Sequence, residues 1–239
     1  MVSKAMPKKS IGKAVKEVGM PAKDRETFFQ LLSEHMPEPK TELQYTNSFE
    51  LLVAVVLSAQ ATDKGVNKAT EKLFPVANTP AQIVALGEEK LLDYLKTLNY
   101  FRNKTKHIIG LSQALIERHD GEVPQDREAL EALPGVGRKT ANVVLNVAFH
   151  QPTMAVDTHI FRVSNRTGLA PGKTVRAVED GLMERVPEAY LYHAHHWLVL
   201  HGRYVCQARS PRCGSCVVYD VCQFPEKSSE PGEKKSNAI

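Results

Sequence analysis

Apolar residues recur at helical spacing along nearly the whole chain, with short polar stretches between the periodic segments. Leu51–Leu57 is apolar on every side, which predicts a helix buried at the centre of a domain, and Asn47 is suited to cap its start. Amphipathic patterns predict further helices at about 65–73, 89–98, 103–118, 126–132, 138–149, 158–167, 174–185 and 188–201. Val143-Val144 also falls within helical spacing. The sequence therefore predicts an all-α protein.

The two ends of the chain lack this periodicity. Residues 1–22 are rich in lysine and poor in large apolar side chains, and residues 226–239 are similarly polar. Such segments cannot bury enough apolar surface to offset the entropy of ordering them. We predict a basic flexible tail at 1–22 and a disordered tail at 226–239.

Composition limits the compartment and the class of partner. No apolar run is long enough for a membrane span or a secretion signal, so we expect no membrane partner and a cytoplasmic location. In a reducing compartment, four cysteines are better suited to bind metal than to form disulfides. The net charge of +4, from 31 Lys and Arg against 27 Asp and Glu, favours a polyanionic partner only if the positive residues cluster.

The segment LPGVGRKTANVVL, which begins at Leu133, joins two predicted helices through a glycine-rich turn. Gly135 and Gly137 permit close approach of a ligand, and backbone N–H groups from Gly135 through Val136 and Arg138 to Lys139 would converge at the start of the next helix. That arrangement can hold a DNA phosphate without reading base sequence. An ordinary tight turn is the alternative. The segment resembles the helix-hairpin-helix motif of DNA-binding proteins, so we predict backbone contact with DNA.

A second segment, VDTHIFRV from Val156, follows the hairpin. Together the two segments resemble the endonuclease III family of the helix-hairpin-helix superfamily, and the likeness runs from about residue 24 to residue 224. The resemblance implies that Lys139 forms a Schiff base with the damaged nucleotide's sugar and nicks the strand by β-elimination, with Asp157 stabilising the sugar cation. A carboxylate and a deprotonated amine suit that chemistry. Without the resemblance, Lys139 would be read as a phosphate contact and Asp157 as a helix N-cap.

All four cysteines lie close together, with six, two and five residues between Cys206, Cys213, Cys216 and Cys222. Four thiolates at this spacing can bind one metal centre, and ligand chemistry alone leaves zinc and an iron–sulfur cluster nearly even. The spacing resembles the 4Fe–4S loop of the endonuclease III family, which implies that cluster. Arg209 and Arg212 lie in the same loop, and we expect them to contact DNA phosphates.

An enzyme that acts on a base must first extrude it from the duplex. The resemblance implies that Gln60 fills the gap left by the base; the alternative is a glutamine at a helix end that bonds local backbone. The resemblance also implies a wedge residue at the position of Tyr100, where relatives often carry an aliphatic side chain. Phe101 could take that role instead, or both could be core residues. His193, His195 and His196 precede Trp197, and we interpret them as packing and hydrogen-bonding groups.

The resemblance implies two helical domains with a DNA groove between them. We expect a helical barrel at 41–151, which contains the hairpin, and a 4Fe–4S cluster domain formed by 23–40 and 152–225. The implied function is base-excision repair by a monomer that removes oxidised pyrimidines from duplex DNA, within the nucleoid. Two alternatives stay open: a non-enzymatic helix-hairpin-helix DNA-binding protein, and an adenine-mismatch glycosylase, although such glycosylases generally lack the hairpin lysine and carry an additional C-terminal domain.

Overall fold

A computed structural model describes residues 19–228, which form eleven α-helices and two short 3₁₀ helices with no strand among them. The prediction of an all-α fold is therefore confirmed. No helix in this range is long and apolar enough to cross a membrane. In chain order the α-helices are α1 (Ala22–His35), α2 (Ser48–Leu57), α3 (Asp63–Leu73), α4 (Pro80–Leu86), α5 (Glu88–Leu95), α6 (Phe101–His119), α7 (Arg127–Glu131), α8 (Arg138–Phe149), α9 (Thr158–Thr167), α10 (Val175–Arg185) and α11 (Leu191–Tyr204).

The first apolar core is built around α2. Every residue of Leu51–Leu57 is buried, as predicted, and the side chain of Asn47 caps the helix by accepting a hydrogen bond from the Glu50 N–H at 2.8 Å. Helices α3 to α8 surround α2 and contribute the remaining buried apolar residues, which run from Leu43 to Leu145. The hairpin lies within this first half of the molecule.

The second apolar core combines the start of the chain with its last third. Phe28 and Phe29 of α1 pack with Trp197 of α11, whose indole N–H donates to the Met36 carbonyl at 2.8 Å. Met20 is fully buried there, and its N–H donates to the Gly168 carbonyl at 2.6 Å. The aromatic residues of α1 therefore fasten the chain start to α11.

The structure shortens both predicted tails. Residues 19–22 belong to the second core because Met20 is buried in it. At the other end, the Lys227 ammonium donates to the Tyr219 carbonyl at 2.7 Å and lies over the Tyr219 ring, and Ser228 bonds the Pro211 carbonyl. The prediction of disorder is therefore wrong for 226–228. The rest of both predicted tails, 1–18 and 229–239, lies outside the described residues.

Candidate active site and nucleic-acid interface

A cleft lies between the two cores and has two lobes. Both lobes share the same five residues: Ser58, Asp63, Lys139, Asp157 and Arg203. The inner lobe is the part bounded by α2, α8 and α11, and its further lining includes Val55, Val143, His195, His196 and Val199. The outer lobe is the part that follows α9, and its further lining includes Thr158, His159, Phe161, Lys173 and Val175. The two predicted catalytic side chains therefore lie where the lobes meet.

Lys139 and Asp157 each stand at the start of a helix. Lys139 is the second residue of α8, directly after the hairpin, and its side chain is exposed to the cleft. Asp157 caps α9, because its Oδ1 accepts hydrogen bonds from the His159 and Ile160 N–H groups, both at 2.9 Å. Asp157 is therefore an N-cap, as the alternative interpretation predicted, and its carboxylate also lies at the surface of the cleft. No described residue donates a hydrogen bond to the other oxygen, Oδ2.

Asp63 and Arg203 also line the cleft, and the sequence analysis had assigned neither of them a role. The Arg203 guanidinium lies 2.8 Å from the Asp63 carboxylate and also pairs with Glu42. Burial raises the pKa of Asp63 above its usual value, and the charge of Lys139 opposes that shift. The pair joins α3 of the first core to α11 of the second and places a carboxylate within electrostatic reach of Lys139.

The hairpin has the backbone that its glycines predict. Gly135 has φ of 77°, and an added Cβ would lie 2.7 Å from the His107 Cβ. Gly137 caps α8 and has open space around it. The Val136 side chain is buried, and its N–H already donates to the Leu133 carbonyl at 3.1 Å. The Val136 N–H thus has a partner within the hairpin, whereas the N–H groups of the two glycines and of the first turn of α8 start the helix that follows.

The side chain of Arg138 is engaged inside the protein, whereas the predicted phosphate contact uses its backbone N–H. Its guanidinium makes a forked pair with the buried Glu179 of α10, with Nε and Nη2 at 2.9 and 2.7 Å from Oε1. Asn142 donates to the same carboxylate at 3.3 Å. The hydrogen bond to Glu179 is the main reason that the pKa of Arg138 is raised. The side chain therefore ties the hairpin helix to α10 of the second core.

The two predicted insertion segments are neighbours in the fold. Gln60 and Tyr100 are both exposed, and both have left-handed backbones, with φ of 53° and 57°. The Asn99 amide donates to the Gln60 carbonyl at 3.1 Å, which holds the two loops together. Tyr100 retains 63% of its side-chain exposure, an unusual amount for an aromatic residue in a fixed turn. Both side chains are placed at one surface where they could meet a duplex.

The four cysteines share one neighbourhood after α11, around the 3₁₀ helix Cys213–Ser215. Burial raises the pKa of Cys216 to about 11, and the charges of Cys222, Cys206 and Cys213 contribute to that shift. The four sulfurs are thus close enough to influence one another. Buried thiols with a raised pKa need a cationic centre to become thiolates. An all-thiol donor set of this kind fits a cubane of four irons.

Two arginines of α9 fasten the loop that carries the first cysteine, and the sequence analysis had missed both. Arg162 donates to the carbonyls of Cys206 and Gly202, at 3.0 and 2.8 Å. Arg166 donates to the carbonyls of Gln207 and Ala208, at 2.6 and 2.7 Å. The loop is therefore held by side chains that begin one turn after Asp157. Arg209 and Arg212, the predicted phosphate contacts, are exposed on it.

Comparison with known proteins identifies the fold and the chemistry together. Residues 53–188 match the model of the HhH-GPD superfamily of base excision DNA repair proteins, and residues 206–222 match the iron–sulfur binding domain of endonuclease III. The chain is 63% identical over 196 residues to endonuclease III of Haemophilus influenzae, covering 82% of this chain and 93% of that protein. This chain belongs to the endonuclease III family. Endonuclease III of Escherichia coli K12 is 60% identical over 196 residues, with the same coverage.

A solved structure of the family shares this fold. A trapped endonuclease III–DNA covalent intermediate matches with a TM-score of 0.80 and 42% identity, over 85% of this chain and 96% of that chain. The chain is thus a DNA-binding glycosylase and lyase of base-excision repair with a 4Fe–4S cluster. The family assignment and the iron–sulfur prediction are confirmed. These matches favour an iron–sulfur cluster over zinc. They also favour endonuclease III over a non-enzymatic DNA-binding protein and over an adenine-mismatch glycosylase.

Proposed function

We propose that this enzyme removes oxidised pyrimidines from duplex DNA and nicks the resulting abasic site through a Schiff base at Lys139. The observation that carries the proposal is that Lys139 and Asp157 line one cleft, each at the start of a helix. An amine and a carboxylate at one deoxyribose supply a nucleophile and a stabiliser for the sugar cation.

The neutral Lys139 amine attacks C1′ while the C1′–N1 bond breaks and the base leaves with the electron pair. Asp157 stabilises the positive charge that develops on the sugar, and its Oδ2 can accept the proton that the alkylated amine releases. The C1′–O4′ bond then breaks, O4′ takes the proton that Asp157 holds, and an imine forms between Lys139 and C1′. Transfer of a C2′ proton to solvent then breaks the C3′–O bond, and the 3′ phosphate leaves with the electron pair, which cuts the strand.

The DNA contacts that we propose follow from exposed groups around the cleft. The N–H groups of Gly135, Gly137 and the first turn of α8 bind a phosphate. Gln60 fills the position of the extruded base, and Tyr100 stacks into the duplex beside it. The exposed Arg209 and Arg212 contact the backbone from the cluster loop.

We further propose a division into two domains and a place of action. The barrel would comprise 41–151, and the cluster domain would combine the chain start with 152–225, because the two buried clusters divide near these limits. The active cleft uses side chains of one copy of the chain, which is consistent with a monomer. A repair enzyme of this kind acts where the chromosome is, which favours the nucleoid of the cytoplasm.

Borohydride trapping on duplexes with a single abasic site or thymine glycol tests the catalytic assignment. We expect the wild-type protein to form a covalent adduct at Lys139, and Lys139→Gln to form none while it still binds the duplex. Asp157→Asn should slow trapping by roughly 100-fold or more, since it removes the charge that stabilises the sugar cation. Adduct formation by Lys139→Gln at the wild-type rate would exclude Lys139 as the nucleophile.

A further inference from the structure

His195 occupies a position in the cleft that the mechanism above does not use. It lies on α11, retains only 6% of its exposure, and lines the inner lobe together with Lys139. Its neighbours in the same wall include Val55, Val143 and Val199, and His196 lies next to it. The sequence analysis had interpreted His195 as a packing residue. Packing alone does not account for a polar ring that lies among valines beside the proposed nucleophile.

The hydrogen bonding of the ring is incomplete. Its Nδ1 is enclosed and finds no hydrogen-bond partner within residues 19–228. Burial lowers the pKa of His195 to about 3, with smaller contributions from the charges of His196 and Lys139, so the ring is neutral at physiological pH. A neutral imidazole has one N–H and one lone pair. Buried N–H groups without an acceptor are rarer than unsatisfied acceptors, which favours the proton on Nε2.

Resting on the proposed function, we propose that the inner lobe accepts the extruded pyrimidine and that the Nε2–H of His195 donates to the carbonyl oxygen next to the glycosidic nitrogen. The ring borders the lobe while its Nδ1 is sealed off, so the Nε2 edge is the one that faces the ligand. The valine side chains suit the flat faces of a base, and one polar group among them fixes its orientation.

The hydrogen bond would act on the leaving group. When the C1′–N1 bond breaks, the electron pair stays on the base and spreads from N1 to O2. A fixed N–H donor in a water-poor lobe stabilises that charge more than it stabilises the uncharged base, which lowers the barrier to base release. Strand nicking occurs after the base has departed. The donor therefore has no part in that later step.

Single-turnover kinetics on two substrates separate the steps. We expect His195→Phe to slow base release from a thymine glycol duplex by about 10- to 100-fold, the range for loss of one such donor. Nicking of a preformed abasic site should change by no more than about twofold. His195→Gln, which restores an N–H donor, should recover part of the loss. In a series of damaged bases whose N1 is increasingly acidic, the slowing of base release by His195→Phe should become progressively smaller.

His193→Phe is the matched control. It lies on the same helix, and its ring packs against Tyr192 and Trp197 instead of lining the cleft. Iron–sulfur absorbance and thermal melting verify folding, and His195→Met takes the place of the Phe variant if that variant loses its cluster. Equal losses in base release and abasic nicking would reduce His195 to a structural role, and unchanged base release would overturn the inference. Failure of the wild type to trap abasic DNA would instead contradict the proposed function.

Discussion

At the scale of single residues, Arg138 connects the DNA-binding hairpin to the opposite core. Its neighbour Lys139 is the proposed nucleophile, so the pair between Arg138 and the buried Glu179 also fixes where the amine lies. Adjacent basic residues after a glycine turn do not reveal from sequence that their side chains differ in surroundings. In the structure the buried carboxylate of Glu179 in α10 pairs with Arg138, and Lys139 is exposed to the cleft.

Replacing Arg138 should therefore affect stability more than DNA binding. We expect Arg138→Met to lower the free energy of unfolding by about 2–4 kcal/mol, because it leaves the carboxylate of Glu179 buried and unpaired. Denaturant unfolding measures this, and Arg138→Met combined with Glu179→Gln should recover part of the loss. If Arg138→Met instead weakened the salt dependence of DNA binding and left the free energy of unfolding unchanged, Arg138 would be a phosphate contact.

Tyr100 gives a second prediction at this scale. Because its ring is exposed in a fixed left-handed turn, we expect Tyr100→Ala to leave thermal stability unchanged. Activity on a duplex should fall by roughly 10- to 100-fold, the value of one lost stacking contact. Activity on single-stranded damaged DNA should persist, since no base pair must be opened there. Phe101→Leu, at the alternative wedge position, is the control; equal duplex turnover in the Tyr100 variant and the wild type would rule out a wedge.

Some residues of the site could be found from sequence and others could not. Lys139 and Asp157 lie in short segments with a distinctive pattern, and the structure places both in one cleft. Asp63 and Arg203 are 140 positions apart and are not part of such a segment, so their pairing follows only from the packing of α3 against the end of α11. His195 was identified as a helix residue, but nothing in its neighbourhood along the chain indicates that it faces the cleft.

At the scale of elements, the hairpin and the cluster loop show what local sequence can predict. Glycine spacing predicts the turn before α8, and each helix predicted from periodicity is present in the structure. The 14-residue helix α1 was not among those predictions. Helix α4 was not predicted either, although Thr79 caps it and Pro80 occupies its first turn. The support of the cluster loop by Arg162 and Arg166 depends on contacts more than forty positions away, such as that from Arg162 to Cys206.

The two glycines of the hairpin should respond differently to alanine. Gly135→Ala places a Cβ within 2.7 Å of His107 at a positive φ, so we expect a loss of about 1–3 kcal/mol in thermal or denaturant unfolding. Gly137→Ala meets no atom within 4 Å, so stability should be unchanged. Its methyl group would stand where a phosphate approaches, which should weaken duplex binding by roughly 3- to 10-fold. If Gly137→Ala bound DNA as tightly as the wild type, the phosphate site would have to lie elsewhere.

At the scale of the whole molecule, the active cleft exists because two separate apolar cores meet along α8, α9 and α11. The second core contains or borders three histidines that the fold keeps neutral. Burial lowers the pKa of His195 to about 3 and is the main cause of values of about 4 for His196 and His201. The apolar packing that shapes the cleft therefore makes folding sensitive to acid.

The sign of that sensitivity follows from linkage. The unfolded histidines take up protons as the pH falls through about 6.5, whereas the folded ones do not until about pH 4 or below. Stability is therefore complete above pH 6.5 and declines between 6.5 and 4, by up to about 1.4 kcal/mol per pH unit for each histidine. His196→Gln should reduce that slope by up to roughly a third. Denaturant unfolding across this window, with iron–sulfur absorbance followed in parallel, measures both slopes, and a pH-independent free energy of unfolding in the wild type would contradict the burial of neutral histidines.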